Sequence, residues 1–239
     1  MCVLALAWNA HPRWRLVAMA NRDEFHARPA APLTAWNDGS GIIAGRDLRS
    51  GGTWLGIGEQ GRFAALTNLR SDVPPDPLAR TRGDLVAGLL RGVADPGALP
   101  LEEYNPFSLI AVDAGSAWLL TNRPEAQSRR LERGIHGLTN GPFAQPWPKL
   151  AGLTRALEDW IEGPANDPAA LFAALRDEHV PPGAYDEATA LPPFIINDTY
   201  GTRCSTVVLL AADGTGTIIE RSFDAAARMT GEVALPAAL

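Results

Sequence analysis

Two apolar runs open the chain, residues 3–8 and 14–20, separated by the polar break Asn9-Ala10-His11-Pro12-Arg13. Runs of that length around a five-residue break containing a proline predict a β-hairpin. Such a hairpin returns Asn21-Arg22-Asp23-Glu24 to the side of the first residues. Residues 25–41, rich in Ala, Pro, Thr and Asn, read as loop. Apolar runs at 42–45, 53–57 and 62–67 read as strands, the last two joined by the turn Gly58-Glu59-Gln60-Gly61. Three prolines put residues 71–77 in a loop.

Further on, Leu85, Val86, Leu89, Leu90 and Val93 recur near i, i+3/4, i+7 and predict a helix over 83–93. Residues 107–112 and 117–121 predict a second hairpin around Asp113-Ala114-Gly115. The charged stretch 122–134 is exposed, with strand in part of it left open. Apolar positions from Leu150 to Ile161 predict a helix over 147–161. Asp167 as N-cap with Pro168 at the first helical position predicts another over 168–179. After a proline-rich loop at 180–193, strands at 204–210 and 217–219 flank Asp213-Gly214-Thr215-Gly216. Strand-rich ends around central helices, with no linker and no repeat, imply one α+β domain over residues 1–239, its sheets covered outside by helices.

Composition narrows the function classes. At 239 residues, 46% hydrophobic and 20% charged, the chain reads as globular. A net charge of −6 gives no electrostatic reason to bind nucleic acid. Its cations are arginines except for Lys149, a bias that reads as genomic coding preference. No apolar run approaches the ~18 residues of a membrane span, and the opening run is too short for a signal core. With only Cys2 and Cys204 there is no disulfide framework, so a reducing cytoplasm is the expected location.

Several motifs carry little. Gly56-Ile57-Gly58-Glu59-Gln60-Gly61 matches the dinucleotide pattern, but a strand rather than a helix follows it, so a hairpin turn is the expectation. Arg82-Gly83-Asp84 reads as a helix start. His11, His26, His136 and His179 have no partners at metal spacing, and no metal site is expected. Trp54 and Trp147 read as core or cleft-wall residues.

The chemistry that remains is a thiol. Cys2 is open to two readings, a small buried strand residue or a nucleophile. Methionine is generally removed before a residue as small as cysteine. The freed α-amine, with a pKa of roughly 7.7–8, and the thiol at ~8.5 would then share one residue. That is the N-terminal nucleophile arrangement, a nucleophile with its own base. A cation such as Arg22 or Arg203 would favour the thiolate, and Asp23 could pair with the ammonium.

At this point a resemblance becomes specific. Met1-Cys2, Ala20-Asn21-Arg22-Asp23-Glu24-Phe25 with Arg28-Pro29, and Gly51-Gly52-Thr53-Trp54-Leu55-Gly56-Ile57 resemble the NRDE family, also called the transport and Golgi organisation protein 2 family. So do Ala64-Ala65-Leu66-Thr67-Asn68, His136-Gly137-Leu138-Thr139-Asn140, Pro146-Trp147-Pro148-Lys149-Leu150 and Tyr200-Gly201-Thr202-Arg203. The blocks keep family order from residue 1 to about 224.

A more distant likeness is to choloylglycine hydrolases and penicillin V acylases, which are N-terminal nucleophile hydrolases with an αββα sandwich of two antiparallel sheets. That likeness implies the same fold here. It also implies Cys2 as nucleophile, Asp23 near the amine, Asn68 and Asn140 as oxyanion donors, and Arg203 as a late arginine of the site. Asn21, Arg22, Glu24, His26, Arg28 and Trp54 are the associated ligand-binding candidates. Where those hydrolases commonly have an arginine before Asn-x-Asp, this chain has Ala20; Arg22 falls between the two motif residues, and strand alternation turns it to the opposite face.

Two functions of different class are implied. One is a cysteine-dependent hydrolase or acyl-transfer enzyme acting on an amide or thioester of a small acyl substrate, with no cofactor required. The other is a carrier that uses the same cleft for haem or acyl-CoA, as family members are linked to haem trafficking and lipid metabolism. Cys2 or His26 would then meet haem iron, and the arginines would meet propionates or phosphates.

Overall fold

A computed structural model of the chain describes residues 2–113, 115–163 and 167–237. The expected opening hairpin forms from β1 (Val3–His11) and β2 (Trp14–Phe25), longer than the apolar runs alone indicated. Next come β3 (Ala30–Ala35), β4 (Ile43–Asp47), β5 (Leu55–Gly58) and β6 (Arg62–Asn68). The helix α1 (Arg82–Leu90) precedes β7 (Phe107–Val112), β8 (Ala117–Thr121), β9 (Gln127–Arg130) and β10 (Gly134–Leu138). Then follow α2 (Lys149–Glu162), α3 (Pro168–Leu175), β11 (Tyr200–Ala211), β12 (Gly216–Phe223) and β13 (Met229–Pro236).

The strands form two antiparallel sheets, ordered β10-β1-β2-β11-β12-β13 and β3-β4-β5-β6-β7-β8-β9. Alternation along β1 and β2 explains the layering. Leu4, Leu6, Leu16 and Ala18 face the second sheet and meet Ile57, Phe63 and Ile110 there. Val3, Ala5, Val17 and Met19 face outward onto Leu153, Leu157 and Trp160 of α2 and Phe172 of α3. On the far side, Ala64, Leu66 and Leu109 of the second sheet are covered by Leu85, Val86, Leu89 and Leu90 of α1. The result is the αββα sandwich that the hydrolase likeness implied.

Three departures have local causes. Residues 30–35 lie in the stretch read as loop, yet form β3 at the rim of the second sheet, with Leu33 its only buried residue. Pro32 is tolerated there because an edge strand needs fewer donors. The strand β13 closes the other sheet with exposed or half-buried residues throughout. The helix expected to reach residue 93 stops at Leu90, since Gly92 adopts φ +69°. The Asp167 cap is formed, its side chain accepting from Ala169 N, and α3 ends at Leu175. The turn expected around Ala114 includes a residue outside those described. Among the described residues no helix is long and apolar enough to cross a membrane.

Candidate active site

A cavity of about 540 Å³ opens between the sheets at the end where β2, β4, β6, β11 and β12 meet. Its walls include Cys2, Arg22, Asp23, Glu24, Arg28 and Trp54, with Asn68 and Arg203 further round. Eight of the residues singled out in the sequence therefore converge on one space. Asn21, His26 and Asn140 are not wall residues.

Strand register fixes the thiol's neighbours. Val3 pairs with Asn21 and Leu4 with Leu138, so extending both ladders sets Cys2 between Arg22 and Asn140. Cys2 shares the inward face of Leu4 and Leu6, and Arg22 that of Ala18 and Ala20. Arg22 therefore lies on the face opposite Asn21 and Asp23, as strand alternation indicated, and on the same face as Ala20, two residues along. The cation is displaced along the strand, and it is Asn21 and Asp23 that face the helices. Arg22 donates to Asp47 Oδ2 of β4 at 3.1 Å, bridging the sheets, while its Nη1 is buried with no hydrogen-bond partner among the described residues.

The Cys2 thiol lies 3.8 Å from the Asp23 carbonyl oxygen. Burial pushes its pKa up and the Asp23 carboxylate adds to this, opposed by that backbone contact and by Arg22. A thiol so placed stays protonated near neutral pH and needs a base to attack. Asp23 Oδ1 accepts from Thr202 Oγ1 at 2.7 Å, and Oδ2 lies 3.7 Å from Lys149 Nζ on α2. This lysine was read in the sequence as compositional bias. Its one visible signal was being the chain's only lysine inside a family block.

The two asparagines meet, although 72 residues separate them: Asn140 Nδ2 donates to the Asn68 carbonyl at 2.6 Å. Thr67 Oγ1 donates to the Thr139 carbonyl beside them, and Arg70 N to the Asn140 carbonyl, so the strand ends of the two sheets are stitched together. A side-chain amide nitrogen carries two donors, so this contact uses one from Asn140.

The remaining candidates divide by role. Arg203 is the extra residue of a β-bulge, since Thr202 pairs with Asp23 and Cys204 with Arg22. The bulge aims its guanidinium at the carbonyls of Phe25, His26 and Arg28, so it clamps the β2–β3 turn. Asn21 is fully buried; its amide donates to the Leu175 and Pro193 carbonyls at 2.8 Å and accepts from Ser205 Oγ at 2.6 Å. His26 points its Nε2 at the Asn197 carbonyl, 2.9 Å away. Glu24 accepts from Phe25 N and lies 3.7 Å from Arg28. Arg28 donates to Asp47 at 2.5 Å. Against the cost of burial, Arg28 and the Ser50 amide hold Asp47 below its ordinary value. Trp54 packs on the inter-sheet core. It sits in a loop pressed on α1 so closely that a Cβ on Gly52 would lie 2.4 Å from the Gly83 carbonyl carbon, while Gly51 adopts φ +80°, so the two glycines answer separate needs.

Cys204 and Glu220 form the cavity's inner wall beside Arg22. Both thiols flank Arg22 across two strand spacings, about 9–10 Å, and a disulfide does not close beyond ~7 Å. Burial pushes the Glu220 carboxyl up from 4.5, against the Leu33 N–H that Oε1 accepts at 2.8 Å. A raised carboxyl favours the fold while protonated, and that contribution is lost as pH rises from 4.5 through the folded value. Glu220→Gln keeps an acceptor for Leu33 and is expected to flatten stability across that window. Denaturant titration at a series of pH values checks this; parallel curves for the two proteins would remove Glu220 as the cause.

The family model described as Transport and Golgi organisation 2 matches residues 1–225. The chain belongs to the Transport and Golgi organisation 2 family. A human family member, the Transport and Golgi organization protein 2 homolog, is 33% identical over 93% of each chain. The mouse homolog is 32% identical over the same shares, and Drosophila melanogaster Transport and Golgi organization protein 2 is 27% identical over 93% of this chain and 92% of its own. Among solved structures, the Caenorhabditis elegans N-acylethanolamine-hydrolyzing acid amidase ortholog superposes with a TM-score of 0.57. That match covers 87% of this chain and 92% of the other at 13% identity, so it shows the fold alone. This member of the family therefore has the fold of an N-terminal nucleophile hydrolase. Among its described residues no group of three or more His, Cys, Asp or Glu is arranged to hold a metal ion.

Proposed function

We propose that this chain is a cysteine-dependent hydrolase or acyl-transfer enzyme acting on an amide or thioester of a small acyl substrate that carries an anionic group. The observation that supports this most is the position of the Cys2 thiol on the cavity wall, between Arg22 and the joined strand ends that hold Asn68 and Asn140. In the proposed reaction the Cys2 sulfur bonds to the substrate carbonyl carbon, and the carbonyl π pair moves onto oxygen beside the asparagine donors. The thiol proton passes to the α-amine freed by loss of Met1, then to the departing amine or thiol as the carbonyl bond to it breaks. Water, or another acceptor, then bonds to the acyl carbon and gives its proton to the amine; the bond to the Cys2 sulfur breaks, the sulfur regains that proton, and the acyl product leaves. Loss of Met1 concerns a residue outside those described and is part of this proposal.

The charge of the cavity supports the anionic group. Arg46, Arg82 and Arg203 donate to the carbonyls of Gly51, Pro106 and the 25–28 turn rather than to carboxylates, so their hydrogen bonds do not neutralise them. The same feature favours a second reading, a carrier that holds acyl-CoA without turnover. Haem fits less well: of its two axial candidates, His26 is outside the cavity wall with its ring on Asn197, and burial keeps the Cys2 thiol protonated. Both cysteines are free thiols, which suits a cytoplasmic location under the same proposal.

The test is intact mass of the protein, processed at Met1, after incubation with an activated acyl ester and with acyl-CoA. A single acyl adduct on Cys2 is expected, with turnover. Asn140→Ala should then slow acylation by on the order of 10²–10³-fold. Binding of acyl-CoA without adduct or turnover would favour the carrier, and turnover with Met1 retained would sink the amine-assisted route.

A further inference from the structure

Lys149 is buried completely in the first turn of α2, its Nζ 3.7 Å from Asp23 Oδ2, and neither side chain reaches solvent. Lysine is almost never fully buried unless paired. A buried ion pair can often be replaced by apolar residues of similar volume without loss of stability. Packing alone therefore gives no reason for a lysine on a helix whose other buried residues are Leu150, Leu153, Leu157, Trp160 and Ile161. The pair lies at the Cys2 end of β2, where the Asp23 carbonyl meets the thiol and Thr202 fixes the other carboxylate oxygen.

We propose that Lys149 is an electrostatic partner of Asp23: its cation offsets the carboxylate's charge at Cys2 and so keeps Cys2 easier to deprotonate. The role rests on the proposed reaction only in making that proton state matter for turnover. It applies to the thiol, and to the α-amine once Met1 is lost.

Other charges act on the same thiol and must be held constant in any test. Burial raises it first, and Asp23 raises it further. Arg22 on β2 and Arg82 on α1 favour the thiolate, as does Lys149 itself. Cys204 on β11 lies in the same field, next to Glu220 of β12. Burial also pushes Lys149 down from its ordinary value, with Asp23 opposing. The sign of each change follows. Loss of the Lys149 cation disfavours the thiolate and moves the thiol up. Loss of the Asp23 carboxylate moves it down. Loss of both returns it toward the starting value.

The experiment is the rate of Cys2 alkylation by iodoacetamide against pH, read on the Cys2 peptide so that Cys204 does not contribute. Lys149→Met is expected to shift the midpoint up by about one pH unit. Lys149→Arg should stay near wild type, Asp23→Asn should shift down, and Asp23→Asn/Lys149→Met should fall between the two single neutral variants. A midpoint unmoved in folded Lys149→Met overturns the proposal, since a purely structural lysine would change stability and leave the profile in place. Should Lys149→Met not fold, Asp23→Asn is compared with Asp23→Asn/Lys149→Met; an upward shift supports the role and none overturns it. Failure of the hydrolase reading is separate: wild type would then form no acyl adduct, while the alkylation profiles still report Lys149.

Discussion

Cys2→Ala is expected to lower acyl transfer by on the order of 10⁴-fold or more, the range typical for removing a nucleophile while the oxyanion donors remain. Stability should barely change. The residue is half-buried, and its thiol makes one weak contact, to the Asp23 carbonyl at 3.8 Å. The pairing of β1 with β2 and β10 begins at Val3 and Leu4 and does not need the side chain of Cys2. Activity and melting temperature thus separate in this variant. Cys2→Ser is the sharper control, because it keeps size and hydrogen bonding but loses the nucleophilicity of sulfur. The measurements are adduct mass after an activated acyl ester, steady-state hydrolysis and thermal unfolding. Adducts that persist on Cys204, or turnover that survives Cys2→Ala, would remove Cys2 from the mechanism. Survival of Cys204 labelling is not expected, since that thiol is buried and pushed well up by desolvation and by Glu220.

The layers of this fold were legible where a face is buried. The apolar runs at residues 3–8 and 14–20 gave the central hairpin, and they are nearly unbroken because both faces of β1 and β2 meet a core. The same reasoning missed β3 and β13, for the complementary reason. Each is a rim strand with few or no buried positions, held mainly by backbone pairing, and pairing leaves little trace in composition.

The site was legible as a set of residues more than as a geometry. Alternation correctly put Arg22 and Asp23 on opposite faces, but which face holds the thiol depends on partners in other strands. The bridge from Arg22 to Asp47 crosses between sheets, and no spacing within the first 25 residues encodes it. The bulge at Arg203 is likewise a mismatch between β2 and β11, invisible in either alone. Lys149 shows the reverse case: its rarity was visible, and only its burial against Asp23 gives that rarity a physical meaning.

Asn21 provides the second large expected effect, and it falls on stability. The residue stands in the motif that resembles the hydrolases, yet every polar atom of its side chain is engaged inside the protein. Its amide nitrogen ties the end of α3, at Leu175, and the Pro193 carbonyl to the centre of β2. Its oxygen accepts from Ser205 on the neighbouring strand. Asn21→Ala leaves two buried carbonyls and one hydroxyl without these partners, each costing about 1–3 kcal/mol. A total near 3–5 kcal/mol corresponds to a fall in melting temperature of roughly 6–20 °C for a chain of this size. Ser205→Ala removes one of the three contacts and should cost about 1 kcal/mol. Acylation of Cys2 per folded molecule should be nearly unchanged in Asn21→Ala below its transition, because the side chain lies behind the sheet from the cavity. Thermal unfolding followed by circular dichroism, with acylation measured well below the transition, decides between the two roles. An unchanged melting temperature together with lost acylation would make Asn21 a ligand contact after all, and would require the Leu175 and Pro193 carbonyls to find other donors.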